Sequence, residues 1–177
     1  TRNQNVDNGG AAIYNYGSTL TVKDSSFTNN LKDYVIRGTG GATGDLINGI
    51  IMSSGATTIT GSEFINNSGC YGGAVAVLPV DGSTVSLTVD DCDFINNLAY
   101  CGAAIQLENC AADYAITNSR FENNTATGIG SPGYGAAGGA IDILGSSGKG
   151  TITNNGYCRE QTTVGSTFCH GNRSTHV

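Results

Sequence analysis

The chain is poor in charge. Only 12% of its 177 residues are Asp, Glu, Lys or Arg, about half the usual share. Eight basic residues stand against 14 acidic ones, for a formal net charge of −6. The bases are scattered, so no basic patch meets a phosphate backbone or an anionic membrane, and no nucleic-acid partner is expected. Long apolar runs are missing too. The leanest stretch, Ile47 to Met52, is broken by Asn48 and Gly49, far short of a bilayer-spanning helix, so no transmembrane segment is expected. There are two His and no Cys-x-x-Cys pair, which leaves a zinc site without its usual ligands; no cofactor is expected. The sequence opens at Thr1 without an initiator Met or a signal peptide, as in a processed product or part of a longer chain.

Small polar residues take the place of charge. Gly occurs 27 times and Asn 18 times, against two Pro. Gly, Asn, Ser and Thr are poor helix formers and good turn formers, so the composition favours a turn-dense β architecture. The length suits one domain, residues 1–177, with a sizeable core.

Two blocks repeat. The first reads Gly-x-Ala-apolar: Gly10 to Ile13, Gly40 to Thr43, Gly72 to Val75, Gly102 to Ile105 and Gly138 to Ile141. The second reads apolar-x-x-small-x-aromatic: Val22 to Phe27, Ile59 to Phe64, Val89 to Phe94, Ile116 to Phe121 and Ile152 to Tyr157. Four copies run into an asparagine pair, ending at Asn30, Asn67, Asn97 and Asn124. The fifth copy lacks the pair, or instead ends at Val164 to Phe168 after an insertion. Residues 158–177 are then expected to be a disulfide-tied C-terminal segment or an interface segment.

Alternation of period two after each Gly-x-Ala block marks a strand with one buried face. The second block is another short strand. A unit of about 30 residues with short strands and no helix buries its apolar face only against a neighbour. The expected fold is therefore an all-β, right-handed parallel β-helix, a solenoid of about five coils over residues 9–157. Like residues fall above like residues: Phe27, Phe64, Phe94 and Phe121 in an aromatic ladder, the second asparagines in an amide ladder. A propeller blade needs four strands in 40 or more residues, which these repeats do not supply.

Phe-x-Asn-Asn followed by Gly-Gly-Ala-apolar resembles the repeat of the chlamydial polymorphic outer membrane proteins. The best matches are Phe64-Ile65-Asn66-Asn67 with Gly72-Gly73-Ala74-Val75, and Phe121-Glu122-Asn123-Asn124 with Gly138-Gly139-Ala140-Ile141. The resemblance implies a pectin-lyase-like right-handed β-helix. It transfers no catalytic residue, and the membrane barrel that follows the helix in those proteins has no counterpart here.

The cysteines stand at 70, 92, 101, 110, 158 and 169. An even number points to an oxidising route. Cys70 and Cys101 each precede a Gly-x-Ala block of neighbouring coils, so a bridge is expected there; Cys92–Cys110 and Cys158–Cys169 are the next pairs. Sequons at Asn66, Asn123 and Asn172 fit the same route. The expected location is extracellular or cell-surface.

Three functional readings follow. The leading one is a non-enzymatic structural segment of a fibre or adhesin that self-associates end to end, because no amphipathic helix or charged block caps the solenoid. The second is a polysaccharide-active enzyme, with a cleft walled by insertions at 43–58 and 126–137. Its acidic candidates, also the candidates for a metal, are Asp90, Asp91 and Asp93; with Val89 inward, Asp90 is expected to point outward and Asp91 to lie near a turn, and most exposed Asp are simply a solvated face. Only His170-Gly171 echoes the Gly-His-Gly element of polygalacturonase-like enzymes. The third is a glycan- or ice-binding face built from residues flanking the buried Val or Ile of the second block: Thr21, Thr58, Thr88 and Thr151 in one row, Thr60, Thr117 and Thr153 in the other. Lys23 and Asp90 interrupt the second row, and exposed Thr is also simply a good strand residue.

Overall fold

The computed structural model describes residues 11–30, 49–80, 82–127, 138–158, 161–162 and 175–176. From Tyr157 onward these descriptions concern strand pairing alone. The described residues contain strands and turns, no helix, and almost every strand pairing is parallel. Sheet A stacks β1 (Ile13–Asn15), β4 (Ile51–Ser53), β7 (Val75–Val77), β11 (Ile105–Glu108) and β15 (Ile141–Leu144). Sheet B stacks β2 (Leu20–Lys23), β5 (Ala56–Thr60), β8 (Ser86–Asp90), β12 (Tyr114–Thr117) and β16 (Gly150–Thr153). Sheet C stacks β3 (Ser26–Thr28), β6 (Glu63–Ile65), β9 (Asp93–Ile95), β13 (Arg120–Glu122) and β17 (Gly156–Cys158). A short sheet D holds β10 (Leu98–Ala99), β14 (Thr125–Ala126) and β18 (Gln161–Thr162). Each turn of the chain thus adds one strand to each of sheets A, B and C, the arrangement of a parallel β-solenoid.

The registers follow the sequence blocks. Val22, Ile59, Val89, Ile116 and Ile152 lie one above another inside sheet B. Phe27, Phe64, Phe94 and Phe121 do so inside sheet C. Their rings stack face to face at 4.9, 4.9 and 5.0 Å, within 4° of parallel. The strand spacing of about 4.8 Å sets that separation. Phe64, Phe94 and Phe121 are fully buried, each contributing about 2–3 kcal/mol by removal from water. The fifth coil follows the first of its two expected readings, since Tyr157 pairs with Phe121.

The corners are made by residues that accept a left-handed backbone. Asp24, Asp91, Asn118 and Asn154 turn sheet B into sheet C with φ of 46 to 56°. Asn29, Asn66, Asn96 and Asn123 make the corner after sheet C with φ of 53 to 57°. Asn and Asp tolerate this region better than any other side-chain-bearing residue. The first asparagine of each pair therefore turns the chain, and the second turns inward.

Those inner asparagines form the amide ladder. The backbone N–H and Nδ2 of Asn30 donate to Oδ1 of Asn67 at 3.1 and 3.0 Å. Asn67 does the same to Asn97, at 3.1 and 3.1 Å, and Asn97 to Asn124, at 3.0 and 2.9 Å. The other Nδ2 hydrogen returns to the carbonyl of Phe27, Phe64 or Phe94 in the preceding coil.

Three expectations change. Ile13 pairs with Ile51, and Ile51 with Val75. The second coil therefore enters sheet A through Gly49-Ile50-Ile51, and Gly40 to Thr43 lies outside the described residues. For the same reason 43–58 is no cleft-walling insertion: β4 and much of β5 lie within it.

Disulfides are the second correction. None joins any two of Cys70, Cys92, Cys101 and Cys110. Tyr71 pairs with Cys101, which sets Cys70 level with Tyr100 rather than with Cys101. Cys92 and Cys110 occupy different corners, between β8 and β9 and between β11 and β12. Cys158 is placed in β17 by its backbone, and Cys169 lies outside the described residues, as does Asn172.

The third change is at the C-terminal end. A two-residue strand, β19 (Thr175–His176), pairs antiparallel with β16. It covers the edge of sheet B, which the sequence had left open.

Candidate functional site

The two flanking rows of the second block come together on the outer face of sheet B. Thr21, Thr58, Thr88, Ala115 and Thr151 are in register, and so are Lys23, Thr60, Asp90, Thr117 and Thr153. Alternation in a strand puts both rows outside because Val22 and its partners point in. Neighbours along a row are about 4.8 Å apart, and the rows are about 7 Å apart. The face is interrupted where its chemistry is richest. Asp90 accepts from Thr117 Oγ1 at 2.7 Å and from Asn118 Nδ2 at 2.7 Å. These two bonds, the Thr117 hydroxyl first, hold the Asp90 carboxyl below its ordinary pKa.

The triplet Asp90, Asp91 and Asp93 does not converge. Asp90 lies on the outer face of sheet B, Asp91 makes the corner with φ 53°, and Asp93 begins β9. The Asp93 carboxylate takes Arg120 Nε at 3.0 Å, and Arg120 Nη1 reaches Glu122 at 3.0 Å. These ions are exposed, so the pairs add little stability. Among the described residues, no group of three or more His, Cys, Asp and Glu is placed to hold a metal.

A groove of about 540 Å³ follows this corner along the solenoid axis. Asp24, Glu63, Asp91, Asp93, Asn118 and Arg120 line it. Sequence reasoning assigned no groove here, because it forms only when the corner residues of successive coils are stacked.

The cysteines have a structural part. Ser62 and Ser119 each donate to the carbonyl two residues back at 2.8 Å and accept an amide N–H from the preceding coil at 3.1 Å. Cys92 takes the same corner position, donating to the Asp90 carbonyl at 3.2 Å. Cys110 does likewise with the carbonyls of Ala112 and Val85, both at 3.1 Å. Burial pushes both thiols up in pKa, so they are protonated donors rather than nucleophiles. Cys92→Ser should therefore stay within about 1 kcal/mol of the parent, read from urea unfolding midpoints. A much larger loss would show that the sulfur is needed for more than this turn.

Asn66 and Asn123 are exposed at their corners, whereas Asn67 and Asn124 are buried in the ladder. The sequon acceptors are thus the asparagines that face solvent.

One cluster was missed in the sequence. Gln106 and Asp142 are opposite each other in β11 and β15, and Glu108 lies two residues beyond Gln106 on the same outer face of sheet A. Gln106 is 1% exposed, and its Nε2 donates to Glu108 Oε1 at 3.4 Å. Desolvation raises the Glu108 pKa, the nearby Asp142 charge raises it further, and Gln106 opposes both. Desolvation also raises Asp142, against bonds from Gln106 and the Ile143 amide. The only signal was a polar residue at the second position of two first-block strands, and an exposed polar row gives the same pattern.

The sign of the linkage is defined. A carboxyl with a raised folded pKa contributes fully below its unfolded pKa, and the contribution is lost as pH rises through the folded value. Thermal melts without divalent ions should therefore fall as pH climbs through and above the ordinary carboxyl range. Glu108→Gln should flatten that slope, and an unchanged slope would contradict the assignment.

Among the described residues, no helix is long and apolar enough to cross a membrane. Compared with protein-family models, curated proteins and solved structures, the chain matches none.

Proposed function

We propose that this chain is a non-enzymatic structural unit of an extracellular or cell-surface assembly, stacking end to end through the open edges of its sheets. The observation that supports it is the set of edge strands. Among the described residues, sheets A, B and C finish at β1, β2 and β3 at one end of the stack. A strand edge is a row of backbone donors and acceptors that invites another chain. At the other end, again among the described residues, β15, β17 and β18 are sheet edges, while β19 closes sheet B. Docking at that end engages sheets A, C and D, or displaces a strand only two residues long.

We infer a right-handed winding, because parallel crossover connections in one sheet overwhelmingly take that hand. The pectin-lyase-like identity rests on this inference and on the repeat resemblance. The extracellular assignment rests on the exposed sequon acceptors Asn66 and Asn123 and on the same resemblance; the buried thiols lend it nothing.

Sedimentation and electron microscopy over a concentration series test the reading. Filaments or higher oligomers are expected at high concentration. The exposed edge-strand residues Tyr14, Thr21 and Ser26 should tolerate lysine, and the triple variant Y14K/T21K/S26K should remain monomeric. Discrete monomers of the parent at millimolar concentration would refute end-to-end stacking.

A second reading has one observation in its favour: the in-register threonine rows of sheet B offer a flat, regularly spaced hydroxyl surface for a glycan or for ice. Thermal hysteresis or a glycan-array signal lost in T58K/T88K supports it, and silence in both assays removes it.

A further inference from the structure

We propose that copies of this chain join head to tail in one fixed register, with Leu144 of one copy stacked against Tyr16 of the next. The proposal rests on the end-to-end reading above, and adds to it which ends meet and which residues oppose each other.

The exposed apolar side chains carry it. Among the described residues, the large apolar side chains left in solvent are Tyr14, Tyr16 and Leu144, at 48, 55 and 53% exposure. All three follow the outward alternation of sheet A, and they stand at its two opposite ends. Asn15, Ser53, Val77, Leu107 and Ile143 are in register across that sheet. The next residue along the chain is Tyr16 in the first coil and Leu144 in the fifth. The two therefore share one row of the solenoid. A second copy that continues the stack sets β1 on β15, with Tyr14 against Asp142 and Tyr16 against Leu144. Neighbours in such a row are about 4.8 Å apart, so the Tyr16 ring covers the Leu144 side chain.

The core ends in a matching way. Ile59, Val75, Phe94 and Ile105 in the middle coils are fully buried. Ile13 and Phe27 at one end, and Ile141 and Ile152 at the other, are only partly buried. In the continued stack Ile141 meets Ile13, Ile152 meets Val22, and the row of Tyr157 meets Phe27. Each end residue gains the neighbour that its counterparts in the middle already have. In sheet B the incoming β2 takes the place of β19, whose pairing with β16 is two residues long.

Hydrogen bonding gives the stack a direction. The amide of Ser25 donates to Ser62 Oγ at 3.1 Å, that of Cys92 to Ser119 Oγ at 3.1 Å, and that of Ser119 to Asn155 Oδ1 at 2.9 Å. These corner amides donate to the coil that follows. By the same rule the Asn155 amide is directed out of the fifth-coil end. Ser25 Oγ, at the first-coil end, donates to the Lys23 carbonyl at 2.7 Å and keeps a lone pair for an amide from a preceding coil. The head-to-tail joint brings this donor to this acceptor. A joint between like ends sets donor against donor or acceptor against acceptor. A heterologous joint of this kind does not close on itself, so it builds a filament rather than a dimer.

A charge swap across the joint tests the register, read as the concentration at which the full chain is half assembled in sedimentation. Tyr16→Lys and Leu144→Glu should each raise that concentration by about tenfold, because each strips apolar contact from the joint. The double variant Y16K/L144E should return to within about threefold of the parent, since opposite charges then face each other. Y16E/L144E should assemble no better than the worse single variant, because like charges then meet. Melts at dilute concentration check that each variant folds, and the reversed swap Y16E/L144K repeats the test should one of them not. A parent that stays monomeric at millimolar concentration removes end-to-end stacking and this joint together. A parent that assembles while the single variants match it, or while Y16K/L144E is no better than Y16E/L144E, overturns this joint alone.

Discussion

Asn97→Ala should destabilise the solenoid by about 3–5 kcal/mol, the largest effect expected of any polar substitution in the described residues. Asn97 Oδ1 accepts both the backbone N–H and the Nδ2 of Asn67. Its own Nδ2 donates to Asn124 Oδ1 and to the Phe64 carbonyl. Alanine removes all four bonds at once. It strips the Asn67 backbone N–H of its partner, takes one of the two bonds made by Asn67 Nδ2 and one of the two accepted by Asn124 Oδ1, and removes the bond to the Phe64 carbonyl, all in a site 1% exposed, where each buried orphan costs about 1–3 kcal/mol. The neighbour Asn96 gives the control. It makes the corner with φ 54° and faces solvent, so Asn96→Gly should cost well under 1 kcal/mol. Urea unfolding of the two variants measures the contrast. Equal losses at 96 and 97 would mean that the ladder contributes nothing beyond the turn.

Phe94→Ala should cost about 3–5 kcal/mol, with the upper end expected. Phe94 is fully buried between two parallel neighbours, Phe64 at 4.9 Å and Phe121 at 5.0 Å. Its removal opens a cavity that the adjoining rings cannot collapse into, because each ring is fixed to its own strand at the 4.8 Å repeat. Phe27, at the end of the stack, is half-buried and has one stacking neighbour. Phe27→Ala should therefore cost visibly less, on the order of 2–3 kcal/mol. If the two substitutions cost the same, the ladder is not energetically continuous.

These ladders were legible in the sequence because they rest on side-chain identity. Phe at every second-block end and Asn at the second place of each pair lie above one another once coils stack, whatever the loop lengths between them. The threonine rows were legible for the same reason, since the apolar residue fixes which way its neighbours face. The register of sheet A was not. Gly40-Gly41-Ala42-Thr43 imitates the block that opens other coils, and Gly49-Ile50-Ile51 does not, yet Ile51 is the residue that pairs with both Ile13 and Val75. A local motif says nothing about which copy meets the edge of the growing sheet.

The cysteines show the same limit. Their offsets from Gly-x-Ala suggested that Cys70 stood above Cys101, but a one-residue shift in register places Tyr71 there instead. Cys92 could have been read from its row, because Ser25, Ser62 and Ser119 are its counterparts, and the position calls for a small hydrogen-bonding side chain. The Gln106, Glu108 and Asp142 cluster had no such row. It depends on diagonal proximity across two strands and on burial of a face that alternation alone marks as exposed.

The central claim is parallel, in-register stacking of successive coils. Cross-strand proton contacts in sheet B test it most directly, using NMR of the isotopically labelled chain. The account predicts short α-proton to amide-proton contacts linking the Ile59 and Val89 levels, and the Val89 and Ile116 levels, as in a parallel ladder. Strong contacts between α-protons of opposed residues, the mark of antiparallel pairing, would contradict it; so would a ladder shifted by one residue, which would turn Thr58 and Thr88 inward.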